Sequence, residues 1–271
     1  MMIGLLGPEG TFSEKATKKW NDRAELSYYD DIFDVAKAVA AREVDCGIIP
    51  IENSLEGSVG MTLDALLRFI SDETKIIGEI VIPIKHCLLM KGDITDIKVI
   101  LSHPQALAQC QQFIKNHFGD IDIQMTASTA HAAQLTSKSK EMAAIASEES
   151  ADKYGLKVVL RDVQGQKENY TRFIVLGGPT PEPTGKDKTS IIVYLRKDRP
   201  GALYEILGEF ASKNINLTKI ESRPTKKALG DYLFYIDLEG HIADKKVQEA
   251  LNMVEKKAGV LKVLGSYPRA V

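Results

Sequence analysis

Cysteine is scarce in this chain, and the spacing of the few present excludes more than their number does. Cys46, Cys87 and Cys110 are the three cysteines among 271 residues. None stands at a metal-ligand spacing from another, and any disulfide scheme leaves one over. Reduced, buried thiols of a cytoplasmic protein are the expectation. An excess of either charge is equally lacking: 35 Lys and Arg face 37 Asp and Glu, a formal net of −2. No global field therefore recruits nucleic acid or an anionic membrane. Long apolar runs are missing too. Nothing approaches the roughly 20 apolar residues of a membrane span. Met1–Leu6 is too short for a signal peptide and has no basic stretch before it. What is present is ordinary for a globular protein, 44% hydrophobic and 27% charged residues, at a length that suggests about two domains.

The clearest punctuation is Gly177-Gly178-Pro179-Thr180-Pro181-Glu182-Pro183-Thr184-Gly185-Lys186. Alternating prolines among glycines fit neither a packed helix nor a central strand. The reading is a first region over 1–178, a linker over 179–187 and a second region over 188–271.

The first region alternates short strands with helices. Ile3–Leu6, Cys46–Ile51, Val99–Leu101 and Phe173–Leu176 are apolar runs that read as buried strands. Lys75–Met90 reads as one long strand or two consecutive ones, and further strands are expected near 121–126, 142–146 and 157–161. Ser13 is expected to cap a helix, and Asp30 or Asp31 to open the next. Leu63, Leu66, Leu67 and Ile70 share one face of a third helix. Others are expected near 104–118, near 129–139 and from Ser147. Such alternation predicts a mostly parallel sheet covered by helices on both faces. Polar loops at Gly92–Asp96 and Gly165–Asn169 divide it into two lobes with a cleft between them. The second region reads β-α-β-β-α-β, the ferredoxin-like order.

Chemistry is expected where strands end, because ligands of parallel α/β sheets sit there. Gly7-Pro8-Glu9-Gly10-Thr11-Phe12-Ser13 offers free N–H groups for an anion at a helix start, or is an ordinary turn. It lacks the Gly-Lys-Ser/Thr of a phosphate-binding loop. Pro50-Ile51-Glu52-Asn53-Ser54 places an acid, an amide and a hydroxyl in a row. Glu52 can donate a proton if burial raises its pKa, and Asn53 can hold a substrate oxygen; the alternative is a capping turn. Ser102-His103-Pro104-Gln105 opens a helix on which Gln105 and Gln109, four apart, share a face, toward either a ligand or solvent. No carboxylate is locally placed to orient His103 as a base, and His131 reads as a helix-surface residue. In Thr171-Arg172-Phe173, a hydroxyl, an anion grip and an apolar wall follow one another, or the triplet is simply strand.

Taken in order, Gly-Pro-x-Gly-Thr-Phe-Ser, Pro-Ile-Glu-Asn-Ser, Ser-His-Pro-Gln, Ser-Thr-Ala-x-Ala-Ala and Thr-Arg-Phe resemble the prephenate dehydratases over nearly the whole chain. The resemblance implies a two-lobed region of the type II periplasmic-binding-protein shape that converts prephenate to phenylpyruvate. It places the family's essential threonine, asparagine and second glutamine on Thr171, Asn53 and Gln109; Glu52, the motif carboxyl that can supply a proton, is the fourth catalytic candidate, and Thr11, Ser54, Ser102, Gln105, Arg172 and Phe173 are the expected substrate contacts. Loss of CO2 and water aromatises the ring, so no metal and no cofactor is implied. No chorismate mutase segment precedes Gly4, so a monofunctional form is expected. Asp198-Arg199-Pro200-Gly201-Ala202-Leu203 makes the second region similar to an ACT domain. That likeness implies phenylalanine as allosteric effector, held by Gly201, Ala202, Leu203, Asn216, Leu217, Glu221, Ser222, Arg223 and Pro224. ACT domains usually pair side by side, so the implied site lies between two chains of a homodimer or homotetramer.

Overall fold

The computed structural model describes residues 1–196, 199–226 and 231–270; Asp198 of the ACT-like turn lies outside them. The strands are β1 (Met2–Leu6), β2 (Glu25–Tyr29), β3 (Cys46–Asn53), β4 (Gly57–Ser58), β5 (Lys75–Pro83), β6 (Cys87–Met90), β7 (Val99–Ser102), β8 (Asp122–Met125), β9 (Met142–Ala146), β10 (Lys157–Leu160), β11 (Tyr170–Gly177), β12 (Asp187–Leu195), β13 (Leu217–Pro224), β14 (Tyr232–Glu239) and β15 (Ala258–Pro268). The α-helices are α1 (Phe12–Trp20), α2 (Ile32–Ala40), α3 (Gly60–Phe69), α4 (Pro104–Gln109), α5 (Gln111–Phe118), α6 (Thr129–Thr136), α7 (Glu148–Tyr154), α8 (Ala202–Ser212) and α9 (Lys245–Lys257).

Three sheets form. One runs β2-β1-β3-β11-β5, with β4 folded back on β3; the second runs β10-β6-β9-β7-β8; the third runs β13-β14-β12-β15. The second sheet explains why its inner strands β6, β9 and β7 are almost continuously apolar. Leu88, Met90, Ile100, Ala143 and Ile145 point to one face, against Ala106 and Leu107 of α4, Ile114 of α5 and Cys110 between the two helices. Their alternates Cys87, Leu89, Leu101, Ala144 and Ala146 point to the other, against Ala132, Ala133 and Ala151 of α6 and α7. A strand buried on both sides cannot alternate with polar residues. This sheet is mixed: β7 pairs parallel with β8 and β9, while β6 pairs antiparallel with β9 and β10.

Of the two readings of Lys75–Met90, the fold takes the consecutive strands, β5 and β6, in different sheets and joined through Ile84–His86. Other local signals were misleading. The helix expected over 104–118 breaks at the fully buried Cys110. Thr11, not Ser13, caps α1: its Oγ1 accepts from Glu14 N at 3.3 Å, and Glu14 Oε2 reaches back to Gly10 N at 2.6 Å. That exchange is a capping box, with the return bond one residue earlier than usual. Leu67 is 39% exposed, so it leaves the apolar face of α3. The three cysteines are free and buried, and desolvation pushes the Cys110 thiol up to about 12. No helix among the described residues is long and apolar enough to cross a membrane.

The chain forms two compact units. The first comprises Met1–Val35, Ile48–Val59 and Ile80–Phe173; the second comprises Ala36–Gly47, Gly60–Glu79 and Ile174–Val271. In the second, the order β12-α8-β13-β14-α9-β15 closes a ferredoxin-like layer of helices on an antiparallel sheet. Its core joins Ile191, Val193, Ile236 and Leu238 to Ile206, Phe210, Val247 and Val254. Residues from before the linker share this unit. Lys188 Nζ stands 3.0 and 2.7 Å from the two Glu79 oxygens, and Tyr235 donates to Leu63 O at 2.6 Å.

Candidate active site

The first unit brings together residues more than a hundred positions apart. β3 and β11 are neighbours, and Ser54 ties their ends: its N–H donates to Tyr170 O at 2.8 Å, and its Oγ accepts from Tyr170 N at 3.0 Å. Successive strand residues point to opposite faces, so two separate cross-strand pairs result. Asn53 meets Thr171 on one face, at 2.9 Å; Glu52 meets Arg172 on the other, at 3.2 Å.

The hydrogen-bond directions in the first pair follow from its surroundings. Asn53 Oδ1 accepts from Leu55 N and Glu56 N, at 3.0 and 3.1 Å. Because those backbone groups are donors, the other end of the amide is its NH2. That group donates to Thr171 Oγ1 and, at 2.7 Å, to Asn169 Oδ1. Asn169 must then present its own NH2 to Gln109 Oε1, at 3.0 Å, which turns Gln109 Nε2 toward Glu56 Oε1 at 3.4 Å. His86 Nε2 lies 3.1 Å from the same Gln109 oxygen, so that ring nitrogen carries the proton. Thr171, 9% exposed, accepts from Asn53 and is left with one hydroxyl proton to give. Among large exposed apolar side chains, Leu55 and Tyr170 adjoin this cluster in the chain.

Of the residues the sequence singles out, Asn53, Gln109 and Thr171 meet in this network. Glu52 does not. Its side chain is 38% exposed and paired with Arg172, so the burial on which a proton-donor role depends is not there. The Arg172 guanidinium, expected to grip a substrate carboxylate, meets a carboxylate of the chain itself. Ser102 is fully buried, and its hydroxyl donates to Ile145 O at 2.6 Å within the sheet. Gln105 has an exposed side chain, while its N–H is capped by His103 Nδ1. Thr11 is engaged as the α1 cap and donates to Leu6 O. Phe173 is 2% exposed and belongs to the core rather than to a pocket wall. Sequence reasoning missed His86, Glu56 and the role of Asn169. Asn169 opens the Tyr-Thr-Arg-Phe strand, a usable signal. His86 sits in no motif, and its one signal is its place directly before the apolar run Cys87–Met90; Lys85 in the same loop is exposed.

In the second unit, Gly201 adopts φ +83° as it starts α8, a left-handed conformation that favours glycine. Ala202 and Leu203 follow in the first turn. A recess there is lined by Leu195, Arg196, Arg199, Ala202, Glu205 and Lys257. β13 ends at the same end of the sheet, with Pro224 opposite Tyr232 on β14 and Leu233 opposite Tyr194 on β12. Asn216 and Leu217 lie at the other end of α8, about 16 Å away at 1.5 Å per residue. Within one chain they cannot share a small ligand with Gly201. Arg223 is bonded to Gly60 O at 3.2 Å and Asp64 Oδ1 at 3.1 Å, and Glu221 pairs with Lys219 at 3.3 Å. Ser222 and Pro224 are exposed.

Fold and cluster together define the class: an α/β enzyme region joined to a ferredoxin-like module. The chain belongs to the prephenate dehydratase family, whose model matches residues 3–181, and the ACT-domain model matches residues 189–255. It is 44% identical over 270 residues to the prephenate dehydratase of Methanocaldococcus jannaschii, covering 96% of each chain. The Arthrobacter aurescens prephenate dehydratase, solved in complex with L-Phe, is similar with a TM-score of 0.91 and 38% identity, over 100% of this chain and 90% of that one. GqqA, a quorum quenching acylase, reaches a TM-score of 0.89 at 27% identity, over 100% of this chain and 98% of that one.

Proposed function

We propose that this protein removes water and CO2 from prephenate to give phenylpyruvate, with Thr171 as the donor to the departing hydroxyl. The bond from the ring to its carboxylate breaks, its electrons enter the ring, and the C4–O bond breaks as the ring becomes aromatic. The leaving oxygen needs a donor as its charge develops. The observation that carries the reading is the Asn53–Thr171 bond. By donating to Thr171 Oγ1, Asn53 leaves the hydroxyl proton as what Thr171 can offer. Asn53 and Gln109 orient the network, and Leu55 and Tyr170 supply apolar surface. Mixing purified protein with prephenate and following phenylpyruvate by ultraviolet absorbance is expected to show turnover; none would refute the reading. An acyl-transfer activity like that of GqqA needs a base on its nucleophile. Among the described residues Thr171 is bonded to an amide donor, which favours the dehydratase.

The regulatory part of the proposal is that phenylalanine binds the C-terminal module between two copies of the chain and lowers activity. The L-Phe complex of the Arthrobacter relative supports the ligand. The roughly 16 Å between Gly201 and Leu217 supports two chains rather than one, hence a homodimer or homotetramer, acting in the cytoplasm. Arg223→Ala removes one of the two cations on Asp64, leaving Lys226 Nζ at 2.7 Å, and alters β13 beside the effector. Its expected effect is to raise the phenylalanine concentration for half-inhibition by about 5- to 150-fold, the usual span of allosteric coupling. Inhibition curves beside sedimentation velocity test this. A wild-type protein that is monomeric and still inhibited would refute the shared site.

A further inference from the structure

We propose that His86 is a positioning residue of the dehydration site: its Nε2–H holds the Gln109 carbonyl and so fixes the direction in which the amides pass hydrogen bonds to Thr171. The inference rests on the reading of Thr171, Asn53 and Gln109 given above. His86 is 3% exposed and held from several sides. Its backbone N–H donates to Gln164 Oε1 at 2.8 Å, its carbonyl accepts from Val163 N at 2.9 Å, and its ring stands edge-on to Phe12 with centroids 5.8 Å apart. Nδ1 is buried with no hydrogen-bond partner. With Gln109 Oε1 facing Nε2, the neutral ring makes its one hydrogen bond with the proton on Nε2 and leaves Nδ1 as an unpaired acceptor.

That state matters because Gln109 Oε1 accepts from both His86 and Asn169. If Gln109 flipped, its NH2 would face the Nε2–H and the Asn169 NH2, donor against donor. Asn169 would have to flip in turn and offer its own NH2 to Asn53, and the bond that orients Thr171 would be lost. Backbone N–H groups of Leu55 and Glu56 hold one end of the chain of amides; His86 holds the other. Protonation would make Nδ1 a buried donor facing no acceptor, and burial accordingly lowers the pKa of this imidazole, against the smaller opposing effect of the Gln109 bond. The charged and titratable groups on the segments that meet His86 are Glu56, reached through Gln109, the Lys85–Asp162 pair, Glu14, Lys15, Lys18 and Lys19 of α1, and His103 at the start of α4.

The test compares two amides in the full-length protein. The Nε2 of Gln can reach the place of the histidine Nε2, whereas the Nδ2 of Asn reaches only that of Nδ1. His86→Gln is expected to keep kcat within about threefold of wild type. His86→Asn should lower it by about 10- to 100-fold, the scale of a misplaced catalytic group, with KM little changed. Both variants replace the ring by a smaller amide, so a merely structural loss would strike both. Equal kcat in the two, high or low, overturns the proposal. Independently, nitrogen-15 spectra of histidine-labelled protein, in which the missing signal of His86→Gln assigns His86 among the five histidines, should show His86 neutral and protonated on Nε2 at about pH 7.5. A proton on Nδ1, or on both nitrogens, overturns it as well. If the wild type turns over no prephenate, the dehydratase reading fails while the spectra still decide the His86 bond.

Discussion

Thr171→Val is expected to lower kcat by about 10²- to 10⁴-fold while KM moves far less, because a positioned donor is worth that much in rate and acts in the transition state. The substitution keeps the β-branched shape on β11, where Thr171 is 9% exposed, so it removes a hydroxyl without opening a cavity. Asn53 Nδ2 retains Asn169 Oδ1 at 2.7 Å and Tyr170 O at 3.2 Å, so the amide itself stays bonded. Thr171→Ser should recover most of the rate, since it restores an oxygen within reach of Asn53. Steady-state kinetics on the three proteins separate the outcomes. A valine variant with near-normal kcat would remove Thr171 from the chemistry and return the leaving-group problem to another donor.

Lys188→Ala is expected to destabilise the fold by about 3–5 kcal/mol, the cost of leaving a buried carboxylate without its cation. The Glu79 and Lys188 side chains are 3% and 9% exposed, and Glu79 Oε1 also accepts from Ala270 N at 3.0 Å. At about 2–4 °C per kcal/mol for a domain of 150–250 residues, the midpoint of thermal unfolding should fall by roughly 10 °C. The double variant Glu79→Leu with Lys188→Met should recover much of the loss, because two apolar groups of similar volume replace both charges. Circular dichroism melts measure each protein. A single variant that melts within a degree of wild type would show that the pair is a solvated contact.

The same pair bears on truncation. Cutting at the linker removes Lys188 from Glu79 and Tyr235 from Leu63, all in one compact unit with Gly60–Glu79. Point variants such as Arg223→Ala therefore test regulation more cleanly than deletion of residues 187–271.

By itself the sequence determined what depends on neighbours in the chain. Apolar runs of strand length placed β1, β3, β7 and β11, because a strand segment covered on both faces must be apolar at every position. Proline and glycine marked the linker, the β-α-β-β-α-β order showed the C-terminal module, and the ordered motifs pointed to the family and to Asn53, Gln109 and Thr171. What it left undecided were partners. Glu52 and Asn53 are adjacent, yet the pleat sends one to Arg172 and the other to Thr171, 118 residues on. Motif membership therefore grouped Glu52 with Asn53 and Thr171, from whose pairing its own strand turns it away. Ser102 and Gln105 share a motif with Gln109, but one is spent inside the sheet and the other faces solvent. His86 carries no local mark, and only the tertiary fold brings its ring to Phe12 of α1 and its Nε2 to Gln109 of α4. A hydrogen bond is a relation between two positions, and between segments this far apart in the chain the tertiary fold alone decides which pairs meet.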